Sequence, residues 1–178
     1  MAKGYVIYNP LAGNGKTKED SQLLQFVLDE ELEYYDMTRI TNYAAFLSSM
    51  EKEDYLVIVG GDGTLNRFVN DTDGIALEQE ILYFPTGTGN DFAREVRANG
   101  NPVAITPYLK NLPTVQVNGK TYRFINGVGF GIDGYCCQVG DELRKISKKK
   151  VNYTAIAIKG LLFHFQARNA KEIGRAHV

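Results

Sequence analysis

Short apolar runs recur through the first hundred residues, each closed by a polar or glycine-bearing segment. Gly4-Tyr5-Val6-Ile7-Tyr8 ends at Asn9-Pro10, Tyr55 to Val59 ends at Gly60-Gly61, and Ile81 to Phe84 ends at Pro85-Thr86-Gly87. Runs of this length bounded by Gly, Pro and Asn predict strands. Glu33 to Thr38 reads as another. Between them, Leu24, Val27, Leu28 and Leu32 follow helical spacing and predict a helix over about Asp20 to Glu31. Tyr43, Phe46, Leu47 and Met50 predict a second helix with Thr41 as its cap, and these aromatics belong to the core. Leu65, Phe68 and Val69 face inward from a third helix, for which Thr64 stands at the N-cap. A fourth runs to about Arg97. Alternating strands and helices argue for an α/β fold: a parallel sheet with helices on both faces.

The pattern changes after Ala98. Pro102, Pro107 and Pro113 punctuate a stretch of about fifteen residues without clear periodicity. Then Val115-Gln116-Val117 and Thr121-Tyr122-Arg123 flank Asn118-Gly119, the strongest short signal for a β-hairpin. A lobe boundary is therefore expected near residue 113. Residues 1–112 form the α/β lobe, and 113–178 form the beginning of an antiparallel, β-rich second lobe. Val151 to Gln166 predicts an apolar core helix, and Gly174 to Val178 fits no element.

Composition narrows the function classes. The chain has 178 residues, is 44% hydrophobic and 23% charged, and carries a net charge of −1. That balance gives no support for nucleic acid as a partner. Its 2 cysteines, Cys136 and Cys137, are neighbours with no metal-ligand spacing, which suits a reducing compartment. No run approaches the roughly 20 apolar residues of a spanning helix. A cytoplasmic protein with at most peripheral membrane contact is expected. Lys148, Lys149 and Lys150 could meet anionic headgroups or simply be solvated. His164 and His177 show no partners in the sequence and read as structural or solvated.

The candidate chemistry lies where the runs stop. In Gly60-Gly61-Asp62-Gly63-Thr64 a strand meets a glycine turn and then a helix. Glycines let backbone approach a ligand closely, and a helix N-terminus offers free N–H groups to an anion. Such a turn is also ordinary βα loop chemistry. The second stretch, Pro85-Thr86-Gly87-Thr88-Gly89-Asn90-Asp91-Phe92-Ala93-Arg94, has the same grammar. Both loops should meet at one sheet edge, where α/β sheets bind ligands. Gly15-Lys16-Thr17 resembles the end of a P-loop, but Pro10 stands where its first glycine is needed. Gly129-Phe130-Gly131-Ile132-Asp133-Gly134 matches a dinucleotide fingerprint in the wrong context, late in the chain and with no acidic residue at the expected distance. The aspartates around Asp71-Thr72-Asp73 lack a full calcium-loop pattern.

The two loops, preceded by Asn9-Pro10 and Gly13, resemble those of the diacylglycerol kinase and sphingosine kinase family of lipid kinases, over about Tyr5 to Gln166. The Gly-Asp loop alone is shared with NAD kinases and phosphofructokinases, so the implied first lobe is of that type. Gly89-Asn90-Asp91-Phe92-Ala93-Arg94 points to the lipid kinase branch. The resemblance implies ATP as phosphoryl donor, Mg²⁺ to neutralise its charge, and a lipid hydroxyl, foremost that of diacylglycerol, as acceptor. It implies a nucleotide site at Asn9, Pro10, Leu11, Ala12, Gly13, Thr38, Gly60, Gly61, Asp62, Gly63, Thr64, Leu65, Asn66, Arg67, Gly87, Thr88 and Asn90. Lys16, Asp91 and Arg94 would join Asp62 in a charged network at the phosphates. Lys16 could equally be solvated, and Asp91 with Arg94 a surface pair. The family's base lies in an Asp-Gly-Glu stretch late in the second lobe, and no such stretch occurs here. Asp62 is then the one resident candidate for a catalytic carboxylate. A truncated member is expected to fold, bind ATP weakly and leave lipid unphosphorylated, with exposed apolar surface favouring homo-oligomers. A kinase for a soluble acceptor such as NAD, or a non-catalytic nucleotide-binding module, stand as alternatives.

Overall fold

The computed structural model describes residues 2–12, 15–87, 89–129, 131–146 and 151–163. Two compact units emerge, Met1–Asn126 and Gly127–Val178.

The first unit is built on a five-stranded sheet. Its strands are β1 (Lys3–Tyr8), β2 (Glu31–Asp36), β3 (Tyr55–Gly60), β4 (Glu80–Pro85) and β5 (Val103–Ala104), in the order β2-β1-β3-β4-β5. The first four run parallel, and β5 adds an antiparallel edge. This short strand lies in the proline-punctuated stretch whose sequence showed no period.

Period-two alternation divides the sheet's side chains between two cores. Tyr5, Ile7, Leu56, Ile58, Ile81 and Tyr83 pack on one face with α2 (Tyr43–Ser48), α3 (Asp62–Asp71) and α4 (Asp91–Glu95). Val6, Tyr8, Tyr55, Val57, Val59 and Phe84 pack on the other, covered by Leu24 and Leu28 near α1 (Thr17–Gln22). The expected helix over Asp20 to Glu31 is shorter and earlier. After Gln22 the chain tightens into a 3-10 turn, Leu23–Phe26, because Glu31 must already lie beside Lys3 in the sheet. β2 therefore also begins before Glu33. Asn42, not Thr41, caps α2: its side chain accepts the Ala45 N–H at 3.0 Å. The fourth helix ends at Glu95, short of Arg97.

The hairpin forms as expected, β6 (Thr114–Val117) pairing with β7 (Lys120–Arg123). Asn118 and Gly119 both take positive φ, 50° and 75°, as a type I′ turn requires. The hairpin belongs to the first unit, which runs past the change of pattern at residue 113. Asn70 on α3 fastens it: the side chain donates to Arg123 O at 2.8 Å and accepts Arg123 N–H at 2.9 Å. The Arg123 guanidinium adds bonds to Asp73 at 3.0 Å and to Leu109 O at 3.3 Å.

The described part of the second unit is helical, α5 (Ile132–Ile146) and α6 (Tyr153–Phe163). The helices approach closely at two glycines. A Cβ on Gly140 would lie 2.6 Å from the Tyr153 ring, and one on Gly160 2.6 Å from Ile132. α6 was expected in the core, yet Ile158, Leu161, Leu162 and Phe163 are exposed and only Ile156 and Gly160 are buried. Cys136 and Cys137 are free thiols. No helix among the described residues is long and apolar enough to cross a membrane. Lys148, Lys149, Lys150, His164, His177 and the Gly174 terminus lie outside the described residues.

Candidate functional site

Register brings the loops together. Tyr8 pairs with both Asp36 and Val59, and Gly60 pairs with Pro85, so the strands end in one row. The segments after them, beginning at Asn9, Met37, Gly61 and Thr86, share one edge of the sheet. In this strand order the connections leave β1 in one direction and reach β3 in the other, which makes the β1/β3 crevice the switch point where open α/β sheets bind ligands. Across it, Asn9 Nδ2 donates to Thr64 Oγ1 at 3.4 Å. Asn9 Oδ1 accepts the Leu11 N–H at 3.1 Å, and Asn9 O accepts that of Ala12 at 3.0 Å. The Asn-Pro turn thus folds over the end of β1, leaving Leu11 exposed. Gly13 and Thr88 lie outside the described residues.

α3 starts one turn earlier than Thr64 suggests. Gly61 is its N-cap, and Thr64 sits in the first turn, buried. The cause is Gly60: a Cβ there would lie 2.4 Å from Thr64 Oγ1, so the Thr64 side chain occupies the space a larger residue would need. The N–H groups of Asp62 and Gly63, first in the helix, have no carbonyl to bond within it. Gly63 is open, with nothing within 4 Å of an added Cβ. Leu65 is buried in the core, while Asn66 and Arg67 lie on the exposed side of α3. Leu65 thus supports the site from below and cannot line it.

The second loop lies directly on the first. Thr86 N–H bonds to Gly60 O at 2.9 Å, and a Cβ on Gly61 would stand 3.1 Å from Gly87 Cα. Tyr83 donates its hydroxyl to the same Gly60 oxygen at 3.2 Å. Burial, with the charge of Asp62, holds that hydroxyl far above its ordinary range, so it stays a neutral donor. Asn90 adopts the left-handed conformation at φ 51°, which asparagine tolerates better than most residues. Its Nδ2 donates to Gly87 O at 2.7 Å. Among the described residues, Asn90 Oδ1 and Thr86 Oγ1 are buried without a hydrogen-bond partner.

Asp62 closes the arrangement. Its Oδ2 accepts the Asp91 N–H at 3.0 Å, and its Oδ1 accepts the Phe92 N–H at 3.1 Å and the Asn126 side-chain amide at 3.0 Å. Asp62 thereby supplies the N-terminal cap that α4 lacks from its own Asn90. Asp91 turns its carboxylate away to Arg94, an exposed pair one turn apart. Lys16 is exposed, and its side chain makes no hydrogen bond or ion pair among the described residues. Of the expected charged network, Asp62, Asp91 and Arg94 are thus linked and Lys16 is not. Thr38 lies in the turn after β2, donating its N–H and hydroxyl to Asp36 Oδ1 at 2.8 and 2.6 Å. Burial pushes the Asp36 carboxyl up, but the Thr38 bonds, Arg39 and Arg67 outweigh it and hold the group below its ordinary value. Arg67 itself pairs with Asp71 at 3.2 Å.

Sequence reading missed Tyr83 and Asn126. The signal for Asn126 was available: an asparagine closing the run Tyr122 to Ile125, as Asn9 closes β1.

A model of the diacylglycerol kinase catalytic domain matches residues 3–118. The chain belongs to this family. It is similar to a diacylglycerol kinase of Bacillus subtilis, 31% identical over 144 residues, or 74% of this chain and 46% of that protein. A diacylglycerol kinase of Staphylococcus carnosus is 28% identical over 166 residues, 88% of this chain and 53% of that protein. One of Staphylococcus aureus is 28% identical over 162 residues, covering 87% and 51%. The chain spans about half the length of these curated relatives. The matched region covers both glycine loops.

Proposed function

We propose that this chain carries the nucleotide-phosphate site of an ATP-dependent lipid kinase that transfers the γ-phosphoryl group to a lipid hydroxyl, with diacylglycerol as the foremost acceptor. The observation that carries the reading is the convergence at the β1/β3 switch point. Two glycine loops, the open N-terminus of α3 and two buried oxygens without partners gather at one edge. Phosphoryl transfer asks the protein mainly for positioning and charge stabilisation. The Asp62 and Gly63 N–H groups favour an anion there, aided by the helix dipole. Gly61 and Gly87 keep the floor free of side chains, and Asn9, Thr64 and Asn90 border it with polar atoms. Thr38, beyond the end of β2, and Arg67 on α3 extend the site toward the remainder of the nucleotide.

Asp62 serves in this reading as a support for the loops and not as the base. Both its oxygens already accept N–H bonds, and a base must reach the acceptor hydroxyl. Among the described residues no group of three acidic, histidine or cysteine side chains is arranged to hold a metal ion. A Mg²⁺ accompanying the nucleotide would be held mainly by phosphate oxygens and water with at most one or two carboxylates, and no step here runs through one. The lipid is met peripherally at a membrane surface.

The test is transfer of labelled phosphate from ATP by the full-length protein, with diacylglycerol in mixed micelles and with NAD in solution. Phosphorylated lipid supports the reading. Product from NAD alone, or ATP binding without transfer to either, replaces it.

A further inference from the structure

We infer that Asn126 is a positioning residue of the phosphate site: its amide fixes the Asp62 carboxylate in the orientation that clamps the second glycine loop to the first. The inference rests on the nucleotide-site reading above. Asp62 belongs to α3, but its three hydrogen bonds all leave that helix. Two come from backbone N–H groups at the start of α4, and the third is the amide of Asn126. The terminal torsion of a carboxylate is soft. Two donors on one short helix fix where its oxygens lie along α4. A donor arriving from beyond β7 fixes the plane about that line.

Asn126 can do this because the chain is anchored three residues before it, at Arg123. Both backbone groups of Arg123 are bonded to Asn70, at 2.8 and 2.9 Å. Asn70 lies on the same α3 that begins with Asp62, and it also donates to Asn66 O at 2.8 Å. One helix therefore holds segment 123–126 near its last turn and receives a bond back at its first. The side-chain type matters too. An amide presents an N–H to Asp62 without adding charge, whereas an aspartate of the same size would set two carboxylates against each other. Asn126 thus acts on nucleotide through Asp62 and α4, without touching the phosphates.

The test compares Asn126→Ala, Asn126→Asp and Asn126→Gln with the parent in the full-length protein. ATP affinity is measured by calorimetry, KM for ATP and kcat by turnover, and the backbone amide resonances of Asp91 and Phe92 by selective labelling. Losing a hydrogen bond to a charged group is expected to weaken ATP binding about 10-fold in the alanine variant, and the opposed carboxylates about 100-fold in the aspartate variant. KM should rise more than kcat falls, and the Asp91 and Phe92 resonances should shift in both. A packing role predicts the reverse order, with isosteric aspartate nearest the parent; that order, or unchanged affinity, overturns the inference. Should the aspartate variant fail to fold, glutamine decides: it keeps the donor and should recover part of what alanine loses, and equal losses overturn the inference. If the parent binds no ATP, the nucleotide reading fails by itself. The two resonances still judge the clamp, and their constancy in Asn126→Ala would refute it.

Discussion

Gly61 and Gly87 meet backbone to backbone. A Cβ on Gly87 would stand 2.5 Å from Gly61 Cα and 2.6 Å from Asn90 Oδ1, so no side chain fits between the loops. Gly87→Ala must push them apart, at a cost of about 1–3 kcal/mol in stability. ATP binding should weaken about 10-fold or more. Gly63→Ala is the contrast: its Cβ meets nothing, and stability should stay within about 0.5 kcal/mol. Urea unfolding and calorimetric titration of the two variants check this.

The reach of Asp62 to α4 predicts a stability effect. Asp62→Ala removes a cap and leaves three donors short of an acceptor, which should cost about 1–2 kcal/mol. Asp91→Ala breaks only an exposed pair one turn apart and should cost about 0.3 kcal/mol. Equal losses in denaturant titrations would contradict the assignment of the cap to Asp62.

These relationships divide what the sequence showed from what it hid. Asn118-Gly119 announced its hairpin because a type I′ turn is decided by the two residues that make it. The glycine loops were legible for the same reason: strand, turn and helix start are neighbours in the chain. The end of α1 was not, because Leu28 and Leu32 keep helical spacing while pairing with β1 claims Glu31 for the sheet. Thr64 was misplaced by one turn since its position depends on the missing side chain of Gly60. Asn126 itself closes an apolar run, but its pairing with Asp62, 64 positions away, shows in no local pattern, and neither does the cap that α4 borrows from Asp62 across 29.

Asn70 offers a test of how the hairpin is held. Asn70→Ala removes both bonds to the Arg123 backbone. It should destabilise the first unit by about 1–3 kcal/mol, leaving a backbone donor and acceptor unpaired. Hydrogen exchange of the β6 and β7 amides should quicken before that of β1 or β3. Uniform quickening would mean that the hairpin is not separately fastened.

Tyrosines set the alkaline limit. Tyr35 is pushed up to about 12, first by its hydrogen bond to Glu33, and Tyr43 and Tyr55 reach about 12 chiefly through burial. Their folded values exceed the unfolded value of about 10. The stability they contribute is therefore complete below pH ~10 and is lost as pH climbs through the folded values. Tyrosinate absorbance and loss of far-ultraviolet dichroism should rise together in that window. Among the described residues the buried Tyr43 hydroxyl has no hydrogen-bond partner. Tyr43→Phe should therefore gain about 1 kcal/mol and lose less stability in alkali.

The bond between Asn126 and Asp62 spans 64 positions, against 29 for that between Asp91 and Asp62. This separation gives the site an order of birth. As the chain leaves the ribosome, the parallel strands can gather once Pro85 has emerged, and Asp62 can cap α4 soon after. The third donor arrives only when the whole hairpin has followed. Until then a nascent chain holds a finished sheet whose Asp62 carboxylate has two of its three donors.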